Sequence, residues 1–170
     1  MANTSKSAPR RVAFLGLFIA LAMILSYVES LIPPLVAIQG VKIGLPNLVI
    51  MFMLYRIGSR EAITVSLIRV VLVSLLFSSA MSMAYGLAGA ALSLTGMMLL
   101  KKTNLFSCIT VSVVGGVLHN IGQIAVAILI TGTKQLVLYL PVLLISGVIA
   151  GVAIGICAGL LIKRFEKLRF

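Results

Sequence analysis

Three short polar clusters interrupt an otherwise apolar sequence, and each contains residue types that could bind or relay charge. SLIRVVLV (66–73) sets one arginine, Arg69, in a run that otherwise suits lipid. An arginine at mid-depth costs about 2.5–3.5 kcal/mol on insertion scales, so it needs a partner or water. Two arrangements can answer it. Arg69 reaches toward a carboxylate or backbone carbonyls, or it faces a hydrated cavity that accepts an anionic ligand. GGVLHNIGQ (115–123) places His119 and Gln123 one helical turn apart on a common face, with Asn120 beside them. Polar groups at that depth usually face a bundle interior or a cavity; a lone histidine could equally bond a neighbouring carbonyl.

SYVESLIPP (26–34) aligns Ser26, Glu29 and Ser30 by spacings of three and four, and Pro33-Pro34 stops the helix beyond them. Glu29 is one of three acids in the chain, with Glu61 and Glu166. It is either a solvated interfacial carboxylate or the counter-ion of Arg69. GVKIGLPN (40–47) brings Lys42 and Asn47 to the start of a second helix, with permissive glycines at 40 and 44. A helix start offers free N–H groups and a positive dipole end, so an anion could be held there. The plainer reading is a lysine snorkelling to the interface.

The elements that must position these groups are membrane helices. Of 170 residues, 61% are hydrophobic and 17 are charged, which is too little polar surface for a soluble domain. The fold class expected is all-α, a polytopic membrane protein of six transmembrane helices over about 12–31, 43–57, 61–79, 82–100, 106–131 and 136–162. Residues 1–11 form a cytoplasmic N-terminal tail, 12–162 the six-helix domain and 163–170 a basic cytoplasmic tail. No small-residue cleavage site follows Val12 to Leu25, so the first span is expected to stay in place. The second span is the shortest. A helix from Pro46 to Ile57 has 12 residues and reaches roughly 18 Å, against a hydrocarbon layer about 30 Å thick. It must start near Lys42 or be shielded by neighbours.

Six spans put both termini on one side. There lie Lys6, Arg10, Arg11, Arg56, Arg60, Lys101, Lys102, Lys163, Arg164, Lys167 and Arg169; Lys42 and Lys134 fall on the other. That asymmetry predicts both termini in the cytoplasm, in a bacterial inner or plasma membrane. It also accounts for the net charge of +11 without nucleic acid as a partner. The basic tail could also touch anionic lipid or another subunit.

Small residues form seams: Gly147, Gly151, Gly155 and Gly159 in the sixth span, and Ser82, Gly86, Gly89, Ser93 and Gly96 in the fourth. Gly16 and Ala20 make a shorter pair in the first. Such residues let helix backbones approach, within this chain or against another subunit. Cys108 and Cys157 belong to no Cys/His cluster, and neither a metal nor a cofactor is expected. Catalysis finds no support either. The chain has no aspartate, so it lacks the clustered carboxylates that hold Mg²⁺ on a diphosphate. It also lacks a GxxxxGK[ST] loop for ATP and an acid close in sequence to its one histidine for a triad.

The segments ALAMILSYVESLIPP (20–34), GVKIGLPNLV (40–49), SLIRVVL (66–72), MAYGLAGAALS (83–93), GVLHNIGQ (116–123) and LPVLLISGV (140–148) together resemble the bacterial family of heptaprenyl diphosphate synthase component I. That family is also called the Gx transporter family. Pro46 stands where the family pattern has alanine. The fold is similar to the substrate-binding S component of energy-coupling factor transporters. That likeness implies six helices, a small-molecule site near the outer face, and docking on a transmembrane coupling subunit with ATPases through Gly16 and Ala20. On this reading the site draws on Glu29, Lys42, Asn47, Arg69, Tyr85, His119, Asn120 and Gln123. The synthase name implies a noncatalytic membrane partner of a prenyl synthase catalytic subunit.

The leading expectation is a membrane-embedded binding and translocation subunit for a small solute, anionic or vitamin-like, working with separate energising subunits. The alternative is a noncatalytic component of isoprenoid and menaquinone side-chain synthesis. A purely structural scaffold would explain the glycine seams and leave the polar clusters idle.

Overall fold

The structure is a computed structural model that describes residues 7–32 and 43–167, the side chains of 7–10 excepted. Lys42, Pro33 and Pro34 lie outside the described residues, as does the end of the basic tail. The described residues form six α-helices and no strands: α1 (Ser7–Leu31), α2 (Leu45–Arg56), α3 (Ser59–Phe77), α4 (Ala80–Thr103), α5 (Cys108–Thr131) and α6 (Leu140–Arg164). A 3₁₀ turn, Lys134–Tyr139, leads into α6. Four segments are long and apolar enough to cross a membrane: Arg11–Leu31, Ala80–Thr103, Cys108–Thr131 and Lys134–Arg164. The chain is a membrane protein.

Local chemistry sets the helix ends. The side chains of Ser79 and Ser107 cap α4 and α5 by accepting from Ser82 N and Thr110 N, each at 3.2 Å. At the start of α2, Gly44 takes φ +80°, which a side chain would resist, and Pro46 occupies the first turn, where its missing N–H costs nothing.

The helices close a ring, α1–α2–α6–α5–α4–α3 and back to α1, with α2 also against α3. The short second span is resolved by shielding rather than by an earlier start. The helix runs from Leu45, and Pro46 and Val49 through Leu54 are buried. Its neighbours α1, α3 and α6 surround it, so a length of roughly 18 Å does not have to meet lipid alone. The main apolar core gathers around it, with Phe18, Ala22, Val65, Met97, Val111 and Ile154 packed on Ile50, Met51, Met53 and Leu54.

One end of the bundle collects the basic residues. Arg56 Nη2 donates to the carbonyls of Phe165 and Glu166 at 3.0 and 2.9 Å. Lys101 donates to the carbonyl of Leu54, and Arg11 pairs with Glu61. These contacts tie α2 to the end of α6, α4 to α2, and α1 to α3.

The glycine seams are spent inside the chain. A Cβ at Gly151 would fall 2.5 Å from Val113 Cα, one at Gly155 2.7 Å from Ile109 Cα, and one at Gly147 3.0 Å from the Gly116 carbonyl oxygen. Gly89 meets His119, and Gly96 meets Leu118. So α5 is clasped between α4 and α6, backbone against backbone. Gly159 faces open space. Cys108 and Cys157 are both free thiols.

Candidate functional site: a cavity at the end opposite the basic cluster

The ring encloses a cavity of about 800 Å³, within the 300–1,000 Å³ typical of small-molecule sites. It extends along α4 from Ser82 to Met97, roughly 22 Å at the α-helical rise. Its mouth lies at the end away from the basic cluster, among Glu29, Ser30, Gly44, Ser78 and Ser82. Its floor is Met51, Met97 and Ile154.

Arg69 lines this cavity from α3. Val70, Val73, Ser74, Phe77 and Ser78 continue the same helical stripe toward the mouth. Among the described residues its single hydrogen bond runs from Nη1 to Ser26 Oγ, at a long 3.4 Å. Ser26 in turn donates to the Ala22 carbonyl at 2.8 Å, so its oxygen is free to accept. The Nε–H of Arg69 is buried with no partner. A guanidinium carries five donors and keeps its charge at any physiological pH. Most of that capacity is unspent here.

Glu29 and Arg69 both line the cavity, yet the two form no ion pair. The Glu29 carboxylate instead accepts the backbone N–H of Gly44, the residue that caps α2. A negative charge is favoured at that positive dipole end. The helix start expected to hold an external anion is therefore occupied by the chain's own Glu29, which ties α1 to α2.

His119, Asn120 and Gln123 all line the cavity from α5. The His119 ring packs on Gly89 of α4, where a Cβ would come within 2.9 Å of Cε1. Asn120 is buried, and its amide donates to the Leu143 carbonyl of α6 at 2.5 Å. That bond joins two helices at the cavity wall. Asn47 lines the cavity from the first turn of α2.

Tyr85, partly buried on α4, is not among the lining residues, and Lys42 lies outside the described ones. Gly16 and Ala20 are both on the exposed face of α1, and nothing lies within 4 Å of a Cβ built at Gly16. The lining also includes serines that spacing alone did not single out as ligands: Ser74, Ser78, Ser112 and Ser146. Ser74 and Ser78 lie one turn apart on the Arg69 stripe, and that was the signal available.

A family model described as heptaprenyl diphosphate synthase component I matches residues 18–161. The chain belongs to that family. No curated protein and no solved structure matches it. The match to heptaprenyl diphosphate synthase component I includes every residue that lines the cavity, from Ser26 to Ile154. It takes in Ala20 and starts just after Gly16.

Proposed function

We propose that this chain is a membrane-embedded binding and translocation subunit for a small anionic solute, working with separate energising subunits. One observation carries the reading. A guanidinium with one long hydrogen bond faces a cavity large enough for a small molecule. Burying a charge without partners is costly, and an anionic ligand is the partner that would repay it. Asn47, His119 and Gln123 supply polar contacts around it, while Asn120 and Glu29 hold the helices that frame it.

In this reading the basic end faces the cytoplasm and the cavity mouth faces the other side of the cell membrane. The exposed Gly16 and Ala20 face of α1 is the docking surface for a coupling subunit with its ATPases. Purification in mild detergent, followed by mass spectrometry of co-purifying small molecules, tests the site. A water-soluble anion retained by the wild type and lost from Arg69→Ala is the expected result. Unchanged retention in Arg69→Ala, His119→Ala and Gln123→Ala would remove the site.

The family description favours a second reading, a noncatalytic membrane component of a prenyl diphosphate synthase with the Mg²⁺ chemistry supplied by a partner catalytic subunit. In the same experiment that reading is favoured by a prenyl phosphate in place of a water-soluble anion.

A further inference from the structure

The charges and the apolar flank of the cavity narrow the class of ligand, on the reading that Arg69 receives an anion. The described lining holds one guanidinium, Arg69, and one carboxylate, Glu29. Glu29 is already engaged with the N-terminus of α2. Among the described residues, what remains for a ligand is the one guanidinium, with the His119 ring and the hydroxyl and amide donors of Ser74 and Gln123 in the same lining.

A diphosphate brings two or more negative charges and normally arrives with Mg²⁺ held by carboxylates. No group of three or more His, Cys, Asp or Glu able to hold a metal occurs among the described residues. A singly charged carboxylate is matched by the planar fork of one arginine without a metal.

The opposite wall has a different character. Ile149, Ala150, Ala153 and Ile154 of α6 line the cavity, and Ile149 and Ala153 are also exposed on the surface of the described bundle. α6 thus gives the cavity an apolar wall. A ligand there can lay an apolar body against that wall while its head stays on Arg69.

We infer that the cavity takes an amphipathic monoanion, with its carboxylate on Arg69 and its apolar body along α6. The ligand is not a diphosphate.

The test is direct binding to the purified full chain in nanodiscs, with three probes: farnesoate, farnesyl diphosphate with and without Mg²⁺, and acetate. Farnesoate and farnesyl diphosphate share a tail and differ in the head; acetate has the head without the tail. Farnesoate is expected to bind at least about tenfold tighter than either other probe. Arg69→Gln should weaken it by about ten- to a hundredfold, the usual worth of hydrogen bonds to a charged group. Ala150→Phe should weaken farnesoate and leave the thermal melt of the protein in place.

Farnesyl diphosphate binding as tightly as farnesoate, in an Arg69-dependent way, overturns the monoanion while leaving the anion site standing. Acetate binding as well as farnesoate overturns the apolar body alone. Binding of no probe to a folded protein, or binding indifferent to Arg69→Gln, removes the anion site and this inference together.

Discussion

Helices α4, α5 and α6 meet backbone to backbone, whereas α1, α2 and α3 meet through large side chains. In the first group Gly147, Gly151 and Gly155 of α6 lie against α5, and Gly89 and Gly96 of α4 lie against α5 from the other side. In the second, the Phe18 and Phe52 rings stack at 6.0 Å between α1 and α2, and the Tyr27 and Phe77 rings tilt together at 5.6 Å between α1 and α3. Lipid tails are as apolar as these side chains, so burial gives helices little reason to associate, and close contact with interhelical hydrogen bonds must do so. The glycine-built wall leaves no room to fill. The cavity lies where that wall faces the side-chain-built one.

Substitution at Gly151 breaks the comparison most severely. Gly151→Leu drives a side chain into Val113 Cα and the Ser112 carbonyl, backbone atoms that cannot rotate away. The loss should reach or exceed the about 1–3 kcal/mol usual for overpacking, read as loss of monodisperse protein in detergent. Gly159→Leu, which meets open space, should stay within about 0.5 kcal/mol of wild type. Equal damage from both would show that α6 is not held by its glycines.

Arg69 tests the other wall, with the opposite sign. Its guanidinium is under-bonded and partly buried, so Arg69→Leu should stabilise the fold by about 1–3 kcal/mol, the cost of an unmet buried donor, read as a higher melting temperature. The same variant should lose the ligand. Stability exchanged for function is expected at a binding site. A clear fall in melting temperature would mean that Arg69 is a packing residue after all.

The apolar spans were legible because hydropathy needs no knowledge of neighbours. So was the polar face of α5, since a spacing of three and four fixes which residues point the same way. What each polar group would touch was not legible. Asn120 reads as a cavity donor, yet its amide is used on Leu143 of α6, a carbonyl 23 positions away. Glu29 reads as an interfacial carboxylate or a counter-ion, yet it caps α2, because Gly44 brings a backbone N–H to it. The burial of α2 was open for the same reason, since shielding belongs to the helices around it. Tyr85 lies on α4 near residues that do line the cavity; the missing knowledge was the rotation of α4 against α5, which glycine contacts determine.

The two remaining acids with a defined partner sharpen the contrast between the ends of the bundle. Glu29→Gln keeps an oxygen for Gly44 but removes the charge from the start of α2. A loss of about 0.3–1 kcal/mol is expected at a helix terminus, more where the group is partly buried, as Glu29 is. At the basic end, Arg11 pairs with Glu61, with Arg11 63% exposed. An exposed pair is worth about 0–1 kcal/mol and is screened by salt. Arg11→Ala should therefore shift the thermal melt least of all, and the shift should vanish at high ionic strength. The Glu29→Gln shift should persist there, because its partner is the end of a buried helix rather than a mobile side chain. Shifts that respond alike to salt would place both carboxylates in the same solvated environment, and Glu29 would then lose its role in holding the cavity mouth.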